Sequence, residues 1–296
     1  MEFEPEIKEY EQIRYEKVTP HIVYITLNRP EKLNTVTREM FTSWGQAITE
    51  AENDDDVKVI IFRGAGKCYS AGAPLDQVGY VYGMKDPKHG ERGEKVPLRV
   101  KLNFDRSLFF EFFSKVLYCK KLTIVQMHKY CLGVAFSIAL HADLLIAEEG
   151  CQMGHVEERL GLAGQTLMPI MLERCGLTKA LDLCLTGKMI SAQTALEWNL
   201  INRVVPAADL EREVRELAEG LALYPKDGIA VGKMAREQLY DLRGINRGML
   251  DHYMTHTLQT FRTYTTEESN FFKERRDKGV KEAAHEKHDY YKALDK

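Results

Sequence analysis

Ser70-Ala71-Gly72-Ala73, a stretch of small residues, follows the strand-like run Val57-Lys58-Val59-Ile60-Ile61-Phe62-Arg63-Gly64. A second small-residue turn, Cys131-Leu132-Gly133-Val134-Ala135, lies further along the chain. An unobstructed backbone N–H at the end of a strand and another at the start of a helix can together bind a carbonyl oxygen that gains negative charge in a transition state. The two turns therefore predict an oxyanion hole, which is typical of acyl chemistry.

The composition is that of an ordinary soluble protein. The chain has 296 residues, of which 44% are hydrophobic and 29% charged, enough for a full core in one large domain or in one domain with a helical appendage. No run of about eighteen apolar residues occurs, and the acidic residues 1–6 lack the apolar run of a secretion signal. We therefore expect a cytoplasmic protein with no membrane partner.

Charge and cysteine spacing bear on two further kinds of partner. A formal net charge of −3 gives no electrostatic reason to expect nucleic acid. The six cysteines form no close pair and no metal-ligand spacing, so we expect reduced thiols in the core and no metal site.

Hydrophobic periodicity predicts alternating strands and helices. Residues 10–28 and 57–63 alternate apolar and polar side chains and are rich in β-branched residues, as strands are. Residues 37–51 carry apolar residues at helical spacing, with Thr37 as the N-cap, which completes a β-α-β unit. Further strands are predicted at 122–127 and 144–147, and a helix at 134–141.

Two segments flank this predicted core. Residues 78–103 are rich in glycine, proline and charge and are expected to form a mobile excursion, followed by a helix over 104–115. From residue 209 the pattern is helical throughout, with a break at Tyr224-Pro225-Lys226. The sequence therefore predicts a core at 1–206 that carries the active site and a C-terminal helical region at 207–296.

Several motifs resemble, in order, those of the crotonase (enoyl-CoA hydratase/isomerase) superfamily. They lie at 21–34, 66–73, 139–147, 185–192 and 200–206, so the resemblance spans about residues 10–206, with a weaker match in the tail. It implies an α/β fold, a crotonase-type spiral of repeated ββα units with a C-terminal helical trimerisation region. It also implies a homotrimer or dimer of trimers acting on an acyl-CoA. Coenzyme A would then be part of the substrate and not a tightly bound cofactor.

The resemblance assigns the oxyanion-hole donors to the backbone amides of Ala71 and Val134. The family usually has three glycines at the second turn, whereas this chain has Gly133-Val134-Ala135. A β-branched valine requires negative φ at the donor position and restricts the approach of a ligand. This change indicates either a narrowed site or a smaller or differently oriented acyl group.

Glu157 stands where the family has an acid/base glutamate, although composition alone would make it a solvated acid beside Glu158 and Arg159. The position of the second hydratase carboxylate holds Ser137, whose hydroxyl can position a water but cannot act as an acid near pH 7. A phenylalanine-serine pair at this place resembles the hydroxycinnamoyl-CoA hydratase-lyases, in which one glutamate makes both proton transfers. One glutamate also suits double-bond isomerisation.

His155 is a further candidate because its unperturbed pKa lies near neutrality and it precedes Glu157 by two positions. It would activate a water in a thioester or carbon–carbon hydrolase, or simply form a polar wall. Aromatic residues of the excursion and the next helix could line an acyl pocket or pack in the core: Tyr80, Tyr82, Phe104, Phe109, Phe110, Phe112 and Phe113.

Coenzyme A contacts are implied by the resemblance in three places, with Lys32 supplying charge for a phosphate. Pro74 replaces the more usual acidic residue and removes a backbone donor. The tail patch would reach the coenzyme A of a neighbouring subunit. The expected binding residues are Lys32, Leu33, Ser70, Ala73, Pro74, Leu75, Phe272 and Arg275.

The sequence therefore favours an enoyl-CoA hydratase or hydratase-lyase that works through a thioester enolate. The alternatives are an enoyl-CoA isomerase and a thioester or β-diketone hydrolase that uses His155. Outside enzymes, a degenerate scaffold or an RNA-binding member of the superfamily stays open, although the C-terminal helices carry mixed charge.

Overall fold

The main sheet organises the chain, and the computed structural model describes residues 3–78, 96–161 and 168–295. It has seven strands in the spatial order β1 (Glu6–Tyr10), β2 (Ile13–Thr19), β3 (Ile22–Leu27), β4 (Val59–Gly64), β5 (Leu122–Met127), β7 (Leu144–Glu148) and β10 (Arg203–Val205). β1, β2 and β3 pair antiparallel, and the strands from β3 to β10 pair parallel. The parallel part reads as near-continuous apolar runs because both of its faces are covered.

The segment 10–28 forms two strands, β2 and β3, joined by a tight turn at 20–21. The alternation of apolar and polar side chains continues through the turn, so the sequence pattern alone did not locate the turn. β1 is an additional strand that the sequence analysis did not predict.

Helix α1 (Arg38–Asn53) connects β3 to β4 and confirms the predicted β-α-β unit. The Thr37 hydroxyl accepts the Met40 N–H at 3.1 Å, as an N-cap does. Met40, Trp44 and Ile48 are fully buried, and the Trp44 ring meets Phe62 of β4 edge-on at 5.5 Å. The helical spacing thus places α1 against the sheet.

The predicted excursion is shorter on its C-terminal side than expected. Residues 98–117 are helical: α2 (Leu98–Asp105), a π-helical segment (Arg106–Phe112) and α3 (Phe113–Leu117). The sequence prediction therefore started this helix six residues too late. Residues 79–95 of the excursion, with Tyr80 and Tyr82, lie outside the described residues.

A small second sheet holds the other turn of the site. It consists of β6 (Tyr130–Leu132), β8 (Gln152–Gly154) and β9 (Ile190–Ser191). Helix α4 (Val134–Ala139) begins immediately after β6 at the turn made by Gly133. A 3₁₀ turn (Val156–Leu160) follows β8 and carries Glu157. β6 and β8 are parallel, so the segments that follow them emerge at the same edge.

The remaining helices are α5 (Pro169–Thr186), α6 (Ala192–Glu197), α7 (Leu210–Ala222), α8 (Lys226–Leu242), α9 (Ile245–Gln259), α10 (Phe271–Lys278) and α11 (Val280–Tyr290). The predicted break at 224–226 separates α7 from α8. Residues 261–270 are not helical, contrary to the prediction of helix throughout, and they join α9 to α10. No helix in the described ranges combines the length and the apolar content needed to cross a membrane.

The C-terminal helices pack on the core of their own chain. Val214 of α7 shares a hydrophobic cluster with Val59, Ile61 and Ile124 of the sheet. The ammonium of Lys233 in α8 is 2.9 and 2.8 Å from the two carboxylate oxygens of Asp143, and both side chains are largely buried. The helical region is therefore anchored to the sheet by apolar contact and by a buried ion pair.

Candidate active site

The two small-residue turns lie side by side. Ser70 N–H donates to Tyr130 O at 2.9 Å, and Leu132 N–H donates to Ser70 O at 3.1 Å. Gly72 adopts φ +89°, and a Cβ atom there would lie 2.8 Å from Leu132 O. Only glycine fits this approach. The turns that the sequence separates by about sixty residues therefore form one surface.

The N–H of Ala71 is not available for the predicted role of first oxyanion-hole donor. It donates to Leu33 O at 3.0 Å, which leaves it unavailable to a bound oxygen, so this expectation is corrected. Gly72 N–H is directed to the Ser70 hydroxyl at 3.2 Å. In the described part of the chain, the N–H groups of Ala73 and Val134 have no acceptor. Val134 is the first residue of α4, where helix N–H groups are unpaired and favour negative charge.

Both available amides border one cavity of about 180 Å³. Ala73, Val134, Ser137, His155 and Glu157 all contribute to its lining. The structure thus brings the second predicted donor and the three predicted side-chain candidates together, and it adds Ala73 as a backbone group. This is the arrangement that an enolate-stabilising site needs: N–H donors and a proton-transfer group around one space.

The Glu157 carboxyl faces this cavity and is not a solvated surface acid. About 27% of the side chain is exposed, and its Oε2 has no hydrogen-bond partner within the described ranges. Burial raises the pKa of Glu157 from the usual 4.5 to about 7. A carboxyl with such a pKa can both accept and donate a proton near neutrality.

Ser137 and His155 form a buried polar contact beside Glu157. The Ser137 hydroxyl donates to Gly133 O at 3.3 Å and lies 3.4 Å from His155 Nε2. His155 Nδ1 is 3.8 Å from Glu157 Oε1. Burial lowers the pKa of His155 to about 4, so the imidazole is neutral at physiological pH. The pair can offer hydrogen bonds, but it adds no charge to the cavity.

The residues expected to bind coenzyme A differ in their exposure. Lys32 and Leu33 are exposed on the loop whose carbonyl receives Ala71 N–H, while Pro74 is buried. Leu75 lines the cavity. The Ser70 side chain is fully buried, and its hydroxyl donates to Asn34 O at 2.7 Å, so it holds the loop together and does not face a ligand.

The tail patch contacts a loop of its own chain. Arg275 is buried, and its guanidinium donates to Leu75 O at 2.7 Å and to Val78 O at 2.8 Å. Phe272 lies against the same guanidinium, with 5.5 Å between ring centroid and Cζ. Leu75 and Val78 line the cavity, so α10 supports the rim of the candidate active site.

The sequence analysis missed three residues near the site, His252 and His256 of α9 and the buried Asp105. Both histidines line the cavity. Their spacing of four residues places them on one face of a helix, which was a readable signal. Of the aromatic candidates, Phe109 lines the cavity, whereas Phe112 and Phe113 are buried in the core.

Comparisons with known proteins point to one family. The family model described as enoyl-CoA hydratase/isomerase matches residues 18–282. The short-chain-enoyl-CoA hydratase of Clostridium acetobutylicum is 28% identical over 232 residues, which are 77% of this chain and 78% of that protein. A crystal structure of an enoyl-CoA hydratase/isomerase from Xanthobacter autotrophicus Py2 has a TM-score of 0.83 at 25% identity and covers 95% of this chain and 99% of that one.

A second crystal structure, of an enoyl-CoA hydratase from Mycobacterium smegmatis, has a TM-score of 0.80 at 25% identity and covers 95% of this chain and 94% of that one. These likenesses confirm the predicted α/β crotonase-type fold. The family match extends over most of the chain, including the two turns, the residues described as lining the cavity, and the C-terminal helices up to α10. The chain belongs to the enoyl-CoA hydratase/isomerase family.

Proposed function

We propose that the protein processes an acyl-CoA through a thioester enolate, with Glu157 transferring a proton at the α-carbon. One observation carries this proposal: an unpartnered carboxyl oxygen of Glu157 shares a cavity with the two N–H groups of Ala73 and Val134 that have no acceptor within the described ranges. These N–H groups would hold the thioester oxygen as it gains charge. The carboxyl, with its pKa raised to about 7, would exchange a proton with the adjacent carbon.

The reaction we favour is hydration of an enoyl-CoA, and the names of the relatives support it. Water loses one proton as its oxygen bonds to the β-carbon, and the electrons of the double bond move toward the thioester oxygen to give the enolate. Protonated Glu157 then delivers its proton to the α-carbon. The proton that the water loses passes through solvent to replace the one that Glu157 gives up. A hydratase-lyase would make the same hydrated product and then cleave it to an aldehyde and acetyl-CoA.

Double-bond isomerisation is the second candidate, and the hydrogen bonding of Ser137 favours it. The hydroxyl is directed to Gly133 O and is neutral, so no second carboxyl stands at that position. One carboxyl suffices to remove a proton at one carbon and return it at another. A hydrolase using His155 has less support because that imidazole is buried, with its pKa lowered to about 4.

Binding of coenzyme A and assembly into trimers belong to the same proposal. Lys32 and Leu33 are exposed on the loop that packs against the first turn, where they could meet the nucleotide end of the substrate. Leu223, Leu242 and Leu258 are 84%, 85% and 71% exposed on the C-terminal helices. Such apolar side chains suit an interface between subunits. Light scattering after size-exclusion chromatography would distinguish a trimer or hexamer from a monomer.

The experiment that tests the reaction uses a panel of aliphatic and hydroxycinnamoyl enoyl-CoA esters in ¹⁸O-water, with Glu157→Gln as the control. We expect ¹⁸O in a hydroxyacyl-CoA or an aldehyde, and loss of this product in the variant. Migration of the double bond without ¹⁸O would identify an isomerase. The absence of both turnover and coenzyme A ester binding would contradict the proposal.

A further inference from the structure

Helix α9 presents two histidines to the candidate active site. His252 and His256 are one turn apart and both line the cavity that contains Glu157. The Phe109 ring, from the π-helical segment, lies 4.2 Å from the ring of His256 and 5.6 Å from that of His252, measured between centroids. π-helical segments occur often at functional sites. A C-terminal helix therefore adds polar groups to a cavity that is also lined by the two turns and by the segment that carries Glu157.

His256 is paired with a buried carboxylate. Asp105 is fully buried, its Oδ2 lies 3.1 Å from His256 Nδ1, and it accepts the hydroxyl of Thr257 at 2.7 Å. A buried carboxylate needs polar partners, and the imidazole of His256 lies close enough to become one when its Nδ1–H is aligned with Oδ2. Asp105 is not among the residues that line the cavity, whereas His256 is, so the contact with His256 connects the carboxylate to the cavity.

The orientation of the His256 ring toward Asp105 determines which imidazole nitrogen is left for a ligand. Because Nδ1 is the atom next to Asp105, Nε2 is the nitrogen left for a ligand in the cavity. The Nδ1 contact has ion-pair distance but not the alignment of a straight hydrogen bond. Catalytic pairs often have this looser geometry before substrate binds and tighten in the complex.

The neighbouring histidines lack this support. Neither His252 Nδ1 nor His256 Nδ1 makes an aligned hydrogen bond in the described part of the chain, but His256 Nδ1 has the Asp105 carboxylate at 3.1 Å. Burial, together with the nearby His256, lowers the pKa of His252 to about 3. His155 contacts the Ser137 hydroxyl and is 3.8 Å from the Glu157 carboxyl. Of the cavity histidines that the structure describes, His256 is therefore the one that contacts a fully buried aspartate.

We propose that His256, positioned by Asp105, is the second proton-transfer group of this site and takes the role that Ser137 cannot fill. This inference rests on the hydration proposed above. His256 Nε2 accepts a proton from water while the water oxygen bonds to the β-carbon and the double-bond electrons form the enolate. Glu157 gives its proton to the α-carbon as the enolate reverts to the thioester. The proton on His256 returns to Glu157 through solvent, which completes the addition of one water.

Two assays on the same protein distinguish the proposed role of His256, accepting a proton from water, from that of Glu157. Hydration of crotonyl-CoA needs an acceptor for the proton of water, whereas exchange of the α-protons of butyryl-CoA with D₂O needs only Glu157 and the oxyanion hole. We expect His256→Gln to lower kcat for hydration by about 100-fold. Its α-proton exchange should fall by no more than about threefold, which also shows that the variant is folded. His252→Gln, the matched variant on the same helix face, should lower hydration by less than about tenfold.

Asp105 is a positioning residue, and its test is a double-mutant cycle. We expect Asp105→Asn to lower kcat for hydration by about tenfold with KM little changed, and to cost nothing further in the His256→Gln background. A merely structural aspartate would reduce hydration and α-proton exchange alike, in both backgrounds.

Three results would overturn the role of His256. The first is that His256→Gln hydrates crotonyl-CoA at the wild-type rate. The second is that this variant loses hydration and α-proton exchange to the same extent. The third is that the wild-type protein exchanges α-protons but hydrates no enoyl-CoA. In each case, α-proton exchange by the wild-type protein would still support the proposed enolate. A wild-type protein that does not exchange α-protons at all would instead contradict the proposed function itself.

Discussion

A Cβ atom on Gly133 would lie 2.9 Å from Oε2 of Glu157. Gly133 also adopts φ +55°, in the left-handed region that favours glycine. The residue that precedes Val134, the proposed donor, is therefore constrained twice, by its own backbone and by the space that the carboxyl occupies. The turn of the proposed oxyanion hole and the Glu157 carboxyl consequently form one packed unit.

Gly133→Ala should damage this unit. The added methyl must displace the Glu157 carboxyl and strain the backbone, so we expect α-proton exchange to fall by at least about tenfold and the free energy of unfolding by about 1–3 kcal/mol. Gly220→Ala is the control, because Gly220 lies inside α7 with no atom within 4 Å of an added Cβ. It should gain about 0.5–1 kcal/mol. Equal activities in the two variants would contradict the packing described.

The sequence predicted the core strands because these depend on local patterns. Leu122–Met127 and the N-cap Thr37 are confirmed by the structure. Local patterns could not show whether the N–H of Ala71 or that of Ala73 is available to a ligand. This depends on Leu33, whose left-handed conformation, φ +53°, turns its carbonyl toward the Ala71 N–H from a distant loop.

The sequence analysis missed the contact between Asp105 and His256 for the same reason, because it depends on residues far apart in the sequence. Asp105 and His256 are about 150 residues apart, and only the packing of α2 and α9 brings them together. A buried aspartate at the end of a helix has no local signature that separates it from a solvated one. The His252 and His256 spacing was visible, but which face of α9 meets the cavity was not.

The free energy of unfolding should depend on pH through Glu157. Its pKa is raised from the usual 4.5 to about 7 by burial, so the folded chain keeps a proton that the unfolded chain has lost. The stabilisation is complete below about pH 4.5 and is lost as the pH rises to about 7, by about 1–3 kcal/mol. Urea titrations of wild type and Glu157→Gln should therefore differ by an amount that changes over this range. A constant difference would contradict the raised pKa.

Arg275 should keep the cavity rim ordered. Replacement by alanine removes its hydrogen bonds to Leu75 O and Val78 O. We expect a loss of about 1–3 kcal/mol and faster deuterium uptake by the amides of 73–78 in mass spectrometry. Arg276→Ala is the matched control, since Arg276 is exposed and pairs with Asp277 at the surface, and should change stability by less than about 1 kcal/mol. Unchanged uptake in Arg275→Ala would count against the support of the rim.

The Lys233–Asp143 pair should anchor the C-terminal helices. Lys233→Met leaves a buried carboxylate without its main counter-charge, so we expect a loss of about 3–5 kcal/mol in urea unfolding. Lys226→Met, which removes surface pairs with Asp55 and Asp56, should cost less than about 1 kcal/mol. A similar cost for both variants would show that the buried pair is not what fixes α8 to the sheet.

The most direct measurement is the exchange of α-protons of butyryl-CoA with D₂O, followed by mass spectrometry for wild type and Glu157→Gln. We expect wild-type protein to incorporate deuterium at the α-carbon, and the variant to bind the ester but to exchange at least about 100-fold more slowly. Two results would contradict the proposal that Glu157 removes the α-proton to form an enolate. One is wild-type protein that binds butyryl-CoA without exchange, and the other is a variant that exchanges at the wild-type rate.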